Sequence, residues 1–284
     1  MVMAALPVIE KAPGIRAAAN MPDYQAERAS FDWQAAQGQL KGLPGGGLNM
    51  AYEALDRQVL AGLGAKLAVR FLHGDGSCEE LSYEALLQQA NRCANALQGL
   101  GIGRGERVCA LLGRGATLHV AALGSIKGGM VFCPLFSAFG PEPVHTRLAL
   151  AEASTLITTD VLYERKVAAL RPTLPLLRNV LLVRTREGPL PPLTVDFDQL
   201  LAAASAAMQT ADTAPEDIAL LHFTSGTTGQ PKGVLHAHLG VVAQQASARQ
   251  ALDLRAQDIY WCTADPGWVT GLIYGVLAPL LCGA

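Results

Sequence analysis

Residues Thr224 to Gly233 read TSGTTGQPKG, and they pack four hydroxyl side chains, three glycines and one lysine into ten positions. Such a stretch suits a polyphosphate. Glycines let backbone approach phosphate oxygens and take φ > 0. The N–H groups this frees, together with the hydroxyls, donate hydrogen bonds to those oxygens. Lys232 adds positive charge. The preceding run, Ile218 to Phe223, is mostly apolar and reads as a buried strand feeding the loop. The competing reading is a polar surface turn. The ordered arrangement of hydroxyls, glycines and lysine favours the phosphate loop.

A Walker loop, GxxxxGK[ST], is excluded by spacing. Lys232 follows Pro231 rather than glycine, and Gly233 stands where Ser or Thr would meet magnesium. Pro231 also has no N–H, so a helix N-terminal anion cradle is disfavoured.

Outward from the loop, helical and strand patterns alternate. Ser82 is a helix cap with Glu84 in the first turn, and Leu86, Leu87, Ala90, Cys93, Ala94 and Leu97 trace one apolar stripe before Gly99 and Gly101. Strands are expected at 107–112, 130–135, 155–158 and 180–183, with helices at 118–127, 142–151, 161–170 and 238–252. This alternation predicts an α/β fold with parallel-rich sheets flanked by helices. Residues 1–47, broken by Pro7, Pro13, Pro22 and Pro44, read as a lead-in. A packing helix capped by Asn49 follows, with Tyr52, Leu55 and Val59 on one face. Residues 184–194 (three prolines, one glycine) and 209–215 read as loops, so an internal boundary is expected near 184–215.

Composition narrows the function classes. Half the residues are apolar, 16% are charged and the net charge is −2, so a core is readily buried and no basic block marks a nucleic-acid partner. The six cysteines lack CxxC spacing and read as reduced thiols, with zinc disfavoured. No apolar run reaches the roughly 18 residues of a membrane span, and the N-terminus has no secretory leader pattern. A cytoplasmic location is expected.

Beyond the loop, several blocks resemble one family. TSGTTGQPKGVLHAH (224–238) resembles the phosphate-loop signature of the adenylate-forming acyl-CoA synthetases. YWCTADPGWVTG (260–271), GGLNMAYEALDRQV (46–59) and PLFSAFGPEPVHTRL (134–148) resemble the acetyl-CoA synthetase branch, and 81–108 resembles the generic segment between them. The likeness runs from about Phe31 to the last residue. It implies that the chain is the first part of the large N-terminal domain of an adenylate-forming enzyme. Residues 48–284 would be an incomplete AMP-binding domain, with the adenine pocket, magnesium ligand, ribose-binding Asp, hinge and catalytic Lys expected beyond Ala284 and a C-terminal domain absent.

The implied reaction has two steps. A carboxylate attacks the α-phosphorus of ATP, and coenzyme A thiol then displaces AMP. Acetate is the expected acid. The alternatives are a ligase for a longer or aryl acid, or a truncated nucleotide-binding chain without turnover. ATP, Mg2+ and coenzyme A are the implied cofactors. Thr224, Ser225, Gly226, Thr227, Thr228, Gly229 and Lys232 would hold the phosphates. By the same resemblance, Trp268, Val269, Thr270 and Gly271 would line the acyl pocket and coenzyme A channel. Trp268 competes with a core role, and Trp261 reads as core. Asp265-Pro266-Gly267 is first a turn signature. His222, His236 and His238 crowd the loop and read as hydrogen-bonding or packing residues rather than metal ligands. Arg114 and Arg147 are read either as contacts to coenzyme A phosphates or as solvated surface arginines. Leu112 to Val120, LGRGATLHV, departs from the family pattern on the coenzyme A side.

Overall fold

The computed structural model describes residues 13–224 and 229–284. Two strands, β1 (Leu67–Leu72) and β2 (Cys78–Ser82), form an antiparallel hairpin. Seven more build the main sheet: β3 (Arg107–Leu111), β4 (Val131–Pro134), β5 (Thr155–Thr159), β6 (Asn179–Val183), β7 (Val195–Asp196), β8 (Ile218–Thr224) and β9 (Lys232–Ala237). Their order is β7-β6-β5-β3-β4-β8-β9. Every ladder is parallel except β8–β9, which is antiparallel. Strands on both sides of 184–215 share this sheet, and β4 meets β8 at Phe132 and Leu220.

Both faces are buried, which is why the strands read as apolar runs rather than alternating ones. Val108, Ala110, Phe132, Ile157 and Leu181 face one core with Leu86, Leu97, Leu118, Val241 and Leu277 from covering helices. Cys109, Leu111, Cys133, Leu156 and Leu182 face the other with Val144, Leu148 and Tyr163.

The anticipated helices form close to their expected bounds because their punctuation is local. Ser82 Oγ accepts from Ala85 N at 3.1 Å and starts the helix Tyr83–Gly99. Gly101, at φ 76°, ends it while Ile102 N reaches back to Leu97 O. The stripe Leu86, Leu87, Ala90, Cys93, Ala94 and Leu97 is buried throughout. Helices Ala116–Lys127, Pro141–Leu150, Asp160–Lys166 and Gly240–Gln250 follow. A Cβ on Gly124 would lie 2.6 Å from Cys93 Cβ, so glycine sets how closely the helices Tyr83–Gly99 and Ala116–Lys127 pack. Asn49 Oδ1 accepts from Ala51 N and Tyr52 N, capping the helix that begins at Met50.

Lys127, fully buried at its helix end, is paired by both carboxylate oxygens of Asp56. Burial lowers the lysine pKa and raises that of the aspartate.

The lead-in holds more structure than its prolines suggest. Helices span Pro13–Ala17, Tyr24–Ser30 and Trp33–Gln37, the last two capped by Asp23 and Asp32 side chains. The loop 209–215 is anchored too, with Thr213 Oγ1 donating to Leu48 O and accepting from Asn49 Nδ2. None of the described helices is long and apolar enough to cross a membrane.

Candidate active site

Strand β8 carries the loop to the carboxyl-terminal edge of the parallel strands, where open α/β sheets bind their ligands. The chain then returns as strand β9, not as a helix. Thr224 pairs with Lys232, Phe223 with Gly233 and His222 with Val234. The loop is therefore the tip of an antiparallel hairpin, a geometry distinct from the strand–loop–helix of a Walker site. Strand β9 was not foreseen. Its polar start after Pro231 hides a pairing that only β8 can supply.

Among the expected phosphate ligands, Ser225, Gly226, Thr227 and Thr228 lie outside the described residues. Thr224 is exposed at the end of β8, its Oγ1 3.4 Å from Lys232 O. Gly229 takes φ 81° with open space where a Cβ would project, so a close ligand would meet backbone there. Lys232 is exposed at the start of β9. A Cβ on Gly233 would sit 2.9 Å from Leu221 Cδ1, so a larger residue there would push the tip of that leucine aside.

The second expected cluster sits on a tight bend. Asp265 Oδ1 accepts from Gly267 N at 2.8 Å, and Asp265 O accepts from Trp268 N at 3.0 Å. Asp265 thus shapes the turn, as its sequence signature indicates. Added Cβ atoms would collide at Gly267 (2.5 Å from Phe136 Cα) and at Gly271 (1.9 Å from Asp265 O). A helical turn starts at Val269, with Trp268 as its N-cap residue and Gly271 buried inside. Thr270 is exposed and Val269 half-buried. The Trp268 side chain is neither core nor free. It is 39% exposed and packs on Phe136 and Phe139, with ring centroids 5.5 and 6.0 Å away.

Trp261 departs from its core expectation. It is 84% exposed, because residues 259–263 run without a ladder partner among the described residues. Arg114 Nη2 donates to Thr263 O at 2.6 Å, tying the turn after β3 to this segment. Arg147 is not a solvated surface arginine. Its guanidinium lies 4.2 Å over the Phe139 ring and 5.9 Å from that of Phe223, and the residue is only 9% exposed.

The three histidines near the loop are neutral packing groups. His222 and His236 meet edge to face across β8 and β9 at 5.3 Å. Burial pushes the His222 pKa down to about 3, with His236 lowering it further. The His238 pKa falls to about 4, also from burial, and its Nδ1 accepts from Met50 N at 3.1 Å. No group of three His, Cys, Asp or Glu side chains among the described residues is arranged to hold a metal ion.

What the sequence reading missed is the aromatic cluster of Phe136, Phe139, Trp268 and Phe223 around Arg147. Its signal was present in FSAF and the downstream arginine of residues 134–148, but three separate elements supply its members.

Comparison with known proteins agrees with this geometry. The family model described as AMP-binding enzyme matches residues 56–284. The acetyl-coenzyme A synthetase of Bacillus subtilis (strain 168) is 36% identical over 273 residues, covering 96% of this chain and 47% of that protein. A Brucella canis acyl-CoA synthetase superposes with a TM-score of 0.83 at 32% identity, over 92% of this chain and 46% of the other. An anthranilate CoA ligase in complex with anthranoyl-AMP gives 0.75 at 26% identity, over 83% and 44%. The chain thus spans about half the length of the relatives it matches. A phosphate-type loop at the sheet's carboxyl edge, a tryptophan turn packed on the loop after β4, and a family match over most of its residues place the chain in the AMP-binding enzyme family, with its sequence likeness on the acetyl-coenzyme A synthetase branch.

Proposed function

We propose that the whole protein activates a short carboxylate, acetate foremost, with ATP and then transfers the acyl group to coenzyme A. In the first step a carboxylate oxygen attacks the α-phosphorus and pyrophosphate leaves, giving the acyl-adenylate. In the second the thiol displaces AMP and leaves a thioester. The first step gathers negative charge on the phosphate chain, so positioning and neutralisation dominate catalysis.

In this reading Thr224 and Lys232, with the loop residues Ser225, Gly226, Thr227, Thr228 and Gly229, hold the β- and γ-phosphates. Trp268 to Gly271 border the acyl pocket and the coenzyme A channel. The supporting observation is the hairpin loop at the carboxyl edge, linked to the Trp268 bend through Arg147, which lies over the Phe139 ring and near that of Phe223. Mg2+ would arrive with ATP. The described residues offer no cluster of acidic or imidazole ligands for it, so no step is assigned to it here.

Residues 48–284 are proposed as part of the AMP-binding domain, with an internal boundary near 184–215 and residues 1–47 as its lead-in. The small net charge and absence of a basic block favour a cytoplasmic enzyme without a nucleic-acid partner.

A ligase for an aryl or longer acid is the second reading, supported by the fold likeness to the anthranilate CoA ligase. A half-exposed tryptophan against two phenylalanines favours the smaller acid, since pocket shape sets discrimination. The test is ATP–pyrophosphate exchange and thioester formation by the whole protein with acetate, propionate and anthranilate. Preference for anthranilate would overturn the acetate reading, and no exchange with any acid would overturn the reaction. The 284 residues alone are expected to make no acetyl-CoA, and product from them would overturn that expectation.

A further inference from the structure

Arg147 carries a charge that its surroundings do not explain. It lies on the helix Pro141–Leu150 and is largely buried. Nη1 donates to Pro143 O at 2.9 Å, while Nε is buried without an acceptor. No carboxylate among the described residues pairs with it. Burial lowers its pKa, yet guanidinium stays protonated in proteins. A buried cation without a counter-ion is costly, and an apolar side chain of similar length would fill the space more cheaply.

Its neighbours give the charge a use. The guanidinium covers the Phe139 ring at 4.2 Å and approaches the Phe223 ring at 5.9 Å. Phe139 packs edge to face on Trp268. Phe223 immediately precedes Thr224 at the root of the loop. One cation therefore touches both the ring that seats the acid-side tryptophan and the ring at the foot of the phosphate loop. Cation–π attraction is directional and strengthens when water is excluded.

We infer that Arg147 is a positioning residue for adenylation: through Phe139 and Phe223 it fixes Trp268 and the carboxyl end of β8 in one relation, so that the acid meets the α-phosphorus. This rests on the activity proposed above.

The test uses the whole protein and three variants, Arg147→Met, Arg147→Lys and Phe139→Leu. Each is assayed by thermal melting and by ATP–pyrophosphate exchange with acetate and propionate. Arg147→Met is expected to lower kcat for exchange about 100-fold while KM for ATP changes less than about threefold, the pattern of lost alignment rather than lost binding. The acetate-to-propionate preference should narrow in Arg147→Met and in Phe139→Leu. Arg147→Lys keeps the charge but loses the flat face, and should recover only part of the rate.

A purely structural arginine would lose melting temperature and activity in step across the series, with the acid preference unmoved. That result overturns the inference. If Arg147→Met does not fold, Phe139→Leu decides, since an unchanged preference there is equally fatal. An inactive wild type would fell the proposed activity and this inference together. An active wild type with unaltered variants would fell this inference alone.

Discussion

The flank β5-β6-β7 and the flank β8-β9 are built to different rules. In the first, β5 and β6 run parallel, joined through a helix, and Leu156, Ile157, Val180, Leu181 and Leu182 are buried, while the short β7 follows a loop and exposes Val195. In the second, β9 runs antiparallel at the sheet edge, and Val234 and Leu235 are exposed. Its inner partner β8 is buried up to Phe223 and then opens at Thr224. The buried strands of the first flank resist change because any lost atom leaves a void. The open hairpin leaves Lys232 exposed, where the proposed function has it meet phosphate, and tolerates solvent. On the proposed function, stability and chemistry are thus divided between two edges of one sheet.

Substitutions can break this division, and the largest effect should fall in the buried strands between the two flanks. Phe132→Ala, at the centre of β4 and fully buried, is expected to cost about 3–5 kcal/mol of stability. Denaturant unfolding measures it, and a cost near zero would show that the sheet centre is not the core described.

Lys232→Ala should do the reverse. Melting should hardly move because the side chain is exposed, while kcat/KM for ATP in the whole protein falls by the worth of a charge-assisted contact, about 1.5–3 kcal/mol. Unchanged ATP kinetics would remove the loop from the site.

A third test is pH. The folded His222 pKa lies near 3, well under the ordinary 6.5, so the unfolded chain binds the proton first as pH falls. The stability from keeping His222 neutral is complete above pH 6.5 and is lost on acidification toward pH 3, at about 1.4 kcal/mol per pH unit between. His222→Phe should flatten that slope, as read by urea midpoints at pH 7 and pH 5. An identical slope would mean that this histidine titrates normally. The smallest effect is expected at the open edge, where Leu235→Thr, at a site 60% exposed, should stay within about 0.5 kcal/mol.

The sequence exposed these two regions unequally. The helices Tyr83–Gly99 and Ala116–Lys127 and strands β3 to β6 were legible because caps, glycines and apolar runs are local signals. The β1–β2 hairpin and β9 were not, since their identity depends on a distant or later partner. The lead-in helices Tyr24–Ser30 and Trp33–Gln37 were not legible either, because the prolines of that segment drew the reading toward loop. At the candidate site the phosphate-loop letters and the Trp268 bend were legible as chemistry. The seat of Trp268 on Phe136 and Phe139, and the burial of Arg147, were not. The first joins residues more than 100 positions apart, and the second depends on Phe139 nearby together with Phe223 on a later strand, a combination that no local pattern encodes.

The close approach of Gly233 to Leu221 has a consequence for how β9 can be mounted. Sliding that strand by one position would bring Lys232 or Val234 toward the leucine, whose Cδ1 would have to swing away to admit either. It would also turn every side chain of the strand to the opposite face. A single missing methyl thus works as a ratchet tooth: it favours one alignment of the hairpin, and with it the side of the sheet on which the lysine emerges.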